Sequence, residues 1–68
     1  MKLSARNVFK GRVVLVKHGV ITSLVKIDIG AGNVITSIIS RESAKELALR
    51  KGDHASAVIK STEVMIAK

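Results

Sequence analysis

Ser4-Ala5-Arg6, the pair Ser40 and Ser43, and Lys60-Ser61 place four hydroxyls, a guanidinium and an ammonium at three separated points of a short chain. Charge-assisted donors of this kind suit the oxygens of an anion, and the arginine fork suits them in two directions at once. Ser40 and Ser43 frame the expected start of a helix, where unpaired backbone N–H groups and the positive end of the helix dipole add to the field. Each place also has a plain structural reading: a capping serine, a solvated turn, a loose chain end. Together they describe a cage of donors with no carboxylate in it, which suits a tetrahedral dianion.

Other chemistries find less support. Neither His18 nor His54 has a sequence context that pairs it with a nucleophile and an acid, and the five Asp and Glu residues form no evident carboxylate pair. No catalysis is expected. Cysteine is absent and the two histidines are far apart, so no metal ligated directly by side chains is expected either. The stretch Gly30 to Ile35, GAGNVI, lacks the third glycine of a dinucleotide fingerprint and precedes a strand where that fingerprint needs a helix. It also lacks the Gly-Lys-Ser/Thr ending of a phosphate loop, and reads as a hairpin only.

The elements that must position these donors follow from periodicity. Val and Ile supply 17 of the 68 residues, which favours strands. Phe9 to Lys17 reads as the first strand, ended by His18-Gly19. Val20 to Ile29 reads as the second, with Ile21, Val25, Ile27 and Ile29 on one face and Thr22, Lys26 and Asp28 on the other. Gly30 to Asn33 is the hairpin loop and Val34 to Ser40 the returning strand. Ser40 to Gly52 then has helix chemistry: Ser40 as N-cap, Glu42 in the first turn, Arg50 and Lys51 in the last, and Gly52 as the stop. His54 to Lys60 and Glu63 to Lys68 are two final strands around a Lys60-Ser61-Thr62 corner. Five strands with one short helix between the third and fourth predict an all-β fold, the OB-fold Greek-key barrel, as a single domain over residues 1–68.

Size and charge set further bounds. A domain of 68 residues buries only roughly 60 % of its unfolded surface. With no disulfide available and 47 % of residues hydrophobic, a homo-oligomer is expected. No apolar run follows Met1 and none approaches a membrane span, so a soluble cytoplasmic protein without a membrane partner is expected. Twelve Lys and Arg against five Asp and Glu give a net charge of +7, which points to anionic partners. Single-stranded nucleic acid is bound by stacking bases on aromatic rings, and this chain has one Phe and no Tyr or Trp.

Three motifs in order, SARN followed by FKG (Ser4 to Gly11), ITSIIS with RES (Ile35 to Ser43), and AVIKSTEVMIA (Ala57 to Ala67), resemble the Mop domain over essentially the whole chain. Free-standing single Mop domains are the molbindins, cytoplasmic proteins that bind molybdate and tungstate. The resemblance implies an OB-fold, a hexamer built as a trimer of dimers, and oxyanions held between subunits. It also implies that Ser40, Ser43, Lys60 and Ser61 come from one subunit and that Ser4 and Arg6, with Ala5 between them, come from a neighbour. Further oxyanions near the threefold axis are implied as well. The basic His18-Gly19-Val20 turn is the candidate there, on its charge and backbone N–H groups rather than on a matched motif.

The expected function is molybdate or tungstate binding for storage or homeostasis. An OB-type nucleic-acid binder that exploits the +7 charge is the alternative from another class, and a plain assembly module with incidental anion sites is a third. The scarcity of aromatic rings separates the first two. A labelled single-stranded oligonucleotide titrated at about 150 mM salt, where exposed charges are screened beyond roughly 8 Å, is expected to bind weakly or not at all. Tight, salt-resistant binding would favour the nucleic-acid reading.

Overall fold

Four runs rich in Val and Ile form strands: β1 (Asn7–His18), β2 (Thr22–Gly30), β3 (Asn33–Ser40) and β4 (His54–Ile59), with the helix α1 (Arg41–Glu46) between the last two. They are seen in a computed structural model that describes residues 4–68. The strands form one antiparallel sheet in the order β3-β2-β1-β4. The expected all-β, OB-type architecture holds, with four strands among the described residues in place of five. No helix among the described residues is long and apolar enough to cross a membrane.

β1 is the strand on which the barrel turns. Its first half, Asn7 to Arg12, pairs with β4, and its second half, Arg12 to His18, pairs with β2. Arg12 belongs to both ladders, opposite Asp28 on one side and His54 on the other. Gly11 makes this crossing sterically feasible. A Cβ there would collide with the Asp28 carbonyl oxygen and stand 2.7 Å from Ile27 Cγ2. Beyond the crossing, the register slips between Val13 and Leu15. Val13 pairs with Ile27 and Val16 with Val25, so both face the core, while Leu15 is turned to the outer face.

The core is small: Val13, Val25, Ile27 and Ala57 cluster together, with Val16, Ile29, Ile35, Ile39, Leu49 and Ala55 packed against them. Val25 and Ile27 take the inward face as expected, but Ile21 does not. The turn after β1 extends through residue 21, closed by the Gly19 N–H donating to the Thr22 carbonyl (2.7 Å), and Ile21 is exposed. The β2–β3 loop is a two-residue hairpin with positive φ at both Ala31 and Gly32, the type I′ geometry whose twist matches the flanking strands.

The helix is shorter than its composition predicts. It ends at Glu46, because Ala48 takes a left-handed conformation (φ 51°). The Leu49 N–H then donates to Ala44 and the Ala48 N–H to Lys45, which is the Schellman arrangement with alanine where glycine is usual. This early stop lets Leu49 join the core and sends residues 50–53 back to β1. There Gly52 N–H donates to the Val13 carbonyl (2.7 Å), and Val13 N–H to the Asp53 carbonyl (2.8 Å). Gly52, expected as the helix stop, is instead the positive-φ residue (96°) of that second turn, and Arg50 and Lys51 lie outside the helix. Glu63 to Lys68, expected as a fifth strand, joins no ladder among the described residues. The corner after β4 is a 3-10 turn over Ser61–Glu63, closed by the Glu63 N–H on the Lys60 carbonyl (2.9 Å), and the residues that follow it are exposed.

Left-handed backbone costs a non-glycine residue roughly 1–2 kcal/mol. Ala48→Gly is therefore expected to stabilise the fold by up to about 1 kcal/mol, read as a rise of about 4–8 °C in thermal midpoint at fixed protein concentration. Gly11→Ala is expected to lower the midpoint, since the new methyl group meets backbone of β2.

Candidate anion-binding site

Ser40 is the N-cap of α1, with extended backbone angles (φ −64°, ψ 146°). Its Oγ accepts the Ser43 N–H at 3.0 Å and donates to the Ser43 Oγ at 2.8 Å. The two hydroxyls are thus brought together at the helix start, and both residues are exposed. With α1 only six residues long, the field at this start is that of little more than one turn. The helix entry is also fixed by a residue that periodicity did not single out. Arg41 donates its backbone N–H to the Ile21 carbonyl (2.9 Å) and its guanidinium to the Gly19 carbonyl (3.4 Å).

The other donors gather at the far end of β1. Asn7 pairs with Ile59 in the β1–β4 ladder, so Arg6 and Lys60 are the next residues outward on the two strands. The Asn7 side-chain amide donates to the Ile59 carbonyl at 3.3 Å and ties the N-terminal arm to the end of β4. Asn7 was legible as the last letter of SARN, but its role is to hold the arm in place. Ser4 and Arg6 are exposed at bends and Ala5 between them is half-buried. Lys60 is extended, and Ser61 opens the 3-10 turn. Arg6 and Lys60 therefore each follow directly on the last paired position of the β1–β4 ladder in the same chain.

The two groups close different ladders, and their strand neighbours Ile39 and Ile59 line one cleft. Ser40 pairs with Thr22 at the end of the β2–β3 ladder, near the His18 end of β1, whereas Lys60 lies beyond the Asn7 end. No hydrogen bond joins the two groups among the described residues. The carboxylates that do make hydrogen bonds accept backbone N–H groups elsewhere: Asp28 from Gly30 (2.8 Å) and Asp53 from Arg50 (2.9 Å).

The His18-Gly19-Val20 turn is largely engaged in its own structure. His18 Nδ1 lies 2.7 Å from the Oγ of Ser23, a serine buried on the inward face of β2, and so satisfies a polar group that would otherwise be orphaned in the core. The Gly19 N–H serves the hairpin turn, and Val20 stands out in solvent. Among the described residues no three His, Asp or Glu side chains converge as a metal site would require.

Comparison with known proteins places this geometry in context. Residues 3–66 match the family model described as the TOBE domain. Molybdenum-pterin-binding protein 1 of Clostridium pasteurianum is 56 % identical over 66 residues, covering 97 % of each chain. Among solved structures, MopII from the same organism superposes with a TM-score of 0.92 at 51 % identity, over 98 % of this chain and all of that one. A molybdate-binding protein from Sporomusa ovata superposes with a TM-score of 0.93 at 29 % identity over the full length of both chains.

The hydrogen bonds at the helix start separate the roles of its serines. Ser40→Ala removes the acceptor of the cap and is expected to destabilise the fold by about 1 kcal/mol in denaturant titration. Ser43→Ala leaves the N–H to Ser40 Oγ bond intact and is expected to change stability by much less.

Proposed function

The chain belongs to the TOBE domain family, alongside its molybdenum-pterin-binding proteins, and on that premise we propose that it binds molybdate, and tungstate by the same chemistry, between copies of itself. The observation that carries this reading is the division of the donors. Ser40 and Ser43 stand at one end of β1, while Ser4, Ala5, Arg6, Lys60 and Ser61 stand at the other. A tetrahedral anion needs donors on all sides, and within the described residues of one chain no hydrogen bond joins the two groups of donors. Packing of copies completes the shell.

The chemistry of recognition follows from the donor set. Arg6 and Lys60 bring two positive charges to a dianion, and the serine hydroxyls add neutral donors whose protons turn to suit. Phe9 is the sole aromatic residue, so the chain has little to stack against a flat pterin ring, and the oxyanion is the part of a molybdenum ligand that these side chains fit. No bond is made or broken. Binding and release serve storage or homeostasis of the oxyanion in the cytoplasm, by a single domain spanning residues 1–68.

Self-association is supported by how little one chain hides. Among the described residues the buried apolar ones are Val13, Val25, Ile27, Ala44 and Ala57, whereas large side chains such as Val20, Ile21, Ile38, Leu47, Met65 and Ile66 are mostly exposed. A hexamer arranged as a trimer of dimers is the assembly proposed. In that assembly Ser40, Ser43, Lys60 and Ser61 of one copy face Ser4 and Arg6 of its neighbour, so that both positive charges reach the same anion. The His18-Gly19-Val20 turn is the proposed place for a second oxyanion near the threefold axis.

Hydrogen bonds to charged groups contribute about 1.5–3 kcal/mol. Arg6→Ala and Lys60→Ala are each expected to weaken molybdate binding about ten- to a hundredfold in equilibrium dialysis, with the fold intact by circular dichroism. Mixed assemblies of the two variants are expected to recover part of the binding, because some interfaces then hold both residues. Normal binding by both single variants, or no recovery on mixing, would overturn the shared site.

A further inference from the structure

The face of the sheet turned away from the core gathers Lys10, Arg12, Lys17 and Lys26. Position 11 shows which way β1 points: a Cβ on Gly11 would stand 2.7 Å from Ile27 Cγ2, on the core side. Its neighbours Lys10 and Arg12 therefore project from the opposite face. After the slip beyond Val13, Leu15 and Lys17 continue that face, paired across to Lys26 and Leu24 of β2. β4 adds His54 opposite Arg12 and Ser56 opposite Lys10. The cations thus alternate with two leucines, Leu15 being 37 % exposed and Leu24 half-buried.

At one corner of this face the strands part. The β1–β2 ladder ends at the Arg12–Asp28 pair, while β1 continues beside β4 through Gly11 and Lys10. A shallow cleft of about 600 Å³ opens there, with Lys10, Arg12, Asp28, His54 and Ser56 in its lining. Arg12 Nη2 lies 3.2 Å from His54 Nε2. A guanidinium only donates, so the ring nitrogen accepts, and the fork keeps further N–H donors for a carboxylate. Asp28 is the one acid on this face among the described residues, and its Oδ1 accepts the Gly30 N–H (2.8 Å) in the β2–β3 hairpin. Glu42 and Glu46 lie on the helix, and Asp53 and Glu63 lie outside the strands.

We propose that this face docks an acidic segment of another protein, one that interleaves carboxylates with apolar side chains. Its carboxylates meet Lys17, Lys26 and, at the cleft, Arg12 and Lys10, while its apolar groups cover Leu15 and Leu24. Charge complementarity selects this partner. A second copy of the chain brings twelve cations against five acids, so repulsion opposes it on this face. A nucleic-acid strand would satisfy the cations, but its phosphates gain nothing from the leucines. Nor does the face offer its bases a ring, since Phe9 stands opposite Ala57 on the core side. None of the docking residues is among the proposed oxyanion donors, so docking stands or falls apart from oxyanion binding.

Fluorescence anisotropy of a labelled peptide of Glu-Glu-Leu repeats, titrated with the full chain, tests the proposal. The peptide is expected to bind, more weakly as salt is raised, and about tenfold more tightly than a peptide of Glu-Glu-Ser repeats. Arg12→Gln combined with Lys26→Glu is expected to weaken binding about ten- to a hundredfold. Lys45→Glu combined with Lys68→Gln removes the same charge away from the face and is expected to change binding by less than about threefold at about 150 mM salt. Both variants are expected to keep the parent's circular dichroism and its molybdate binding. No binding of the Glu-Glu-Leu peptide would overturn the proposal. Equal weakening by the two variants, or equal affinity for the two peptides, would overturn it as well, by reducing the effect to net charge. A single-stranded oligonucleotide that displaces the peptide and binds more tightly would give the face to nucleic acid instead.

Discussion

The close approach of β1 to β2 at Gly11 is the constraint from which the rest of the structure follows. A side chain there would strike the Asp28 carbonyl, so only glycine lets β1 leave one ladder and enter the other within two residues. That crossing coils the sheet into a barrel. It also gives β1 two ends that serve different neighbours. One end meets the β2 turn and the helix start, and the other meets the N-terminal arm and the corner after β4. The candidate donors are found at those two ends. The bend in one strand thus lets both ladders share one core.

A small barrel with few fully buried side chains gains modestly from its own core. The exposed apolar residues and the divided donor set lead to the same physical need, which is more chain. Partner copies would exclude water from the apolar surfaces, and in a drier interface each charged donor interacts more strongly with a bound dianion. The absence of disulfides leaves assembly as the main source of additional burial. Oxyanion binding and assembly are coupled in this account, because an anion held between chains stabilises the contact that forms its site.

Much of this was legible in the sequence where local chemistry and tertiary structure agree. The Gly30 to Asn33 hairpin, the inward Val25 and Ile27, and Ser40 as a cap all follow from residue type and spacing. The failures have a common cause, which is that long-range contacts override local preference. Residues after Glu46 have helix chemistry, yet the helix stops because Leu49 and Gly52 are needed at the core and at Val13. The slip at Val14 has no local signature in a run of valines. Glu63 to Lys68 has the composition of a strand, but composition does not say whether a partner edge exists in the same chain. For the site, SARN and the Lys60-Ser61 corner were visible as separate motifs, and the register of Asn7 with Ile59 shows that both lie at the same end of the β1–β4 ladder.

Native mass spectrometry with and without molybdate tests the central claim most directly, since it weighs the assembly and its bound oxyanions at once. The account predicts a multimer of the 68-residue chain whose mass rises by whole molybdate units when the anion is supplied. A monomer that carries molybdate would show that one chain closes the site alone. A multimer of unchanged mass in the presence of molybdate would contradict the binding function itself.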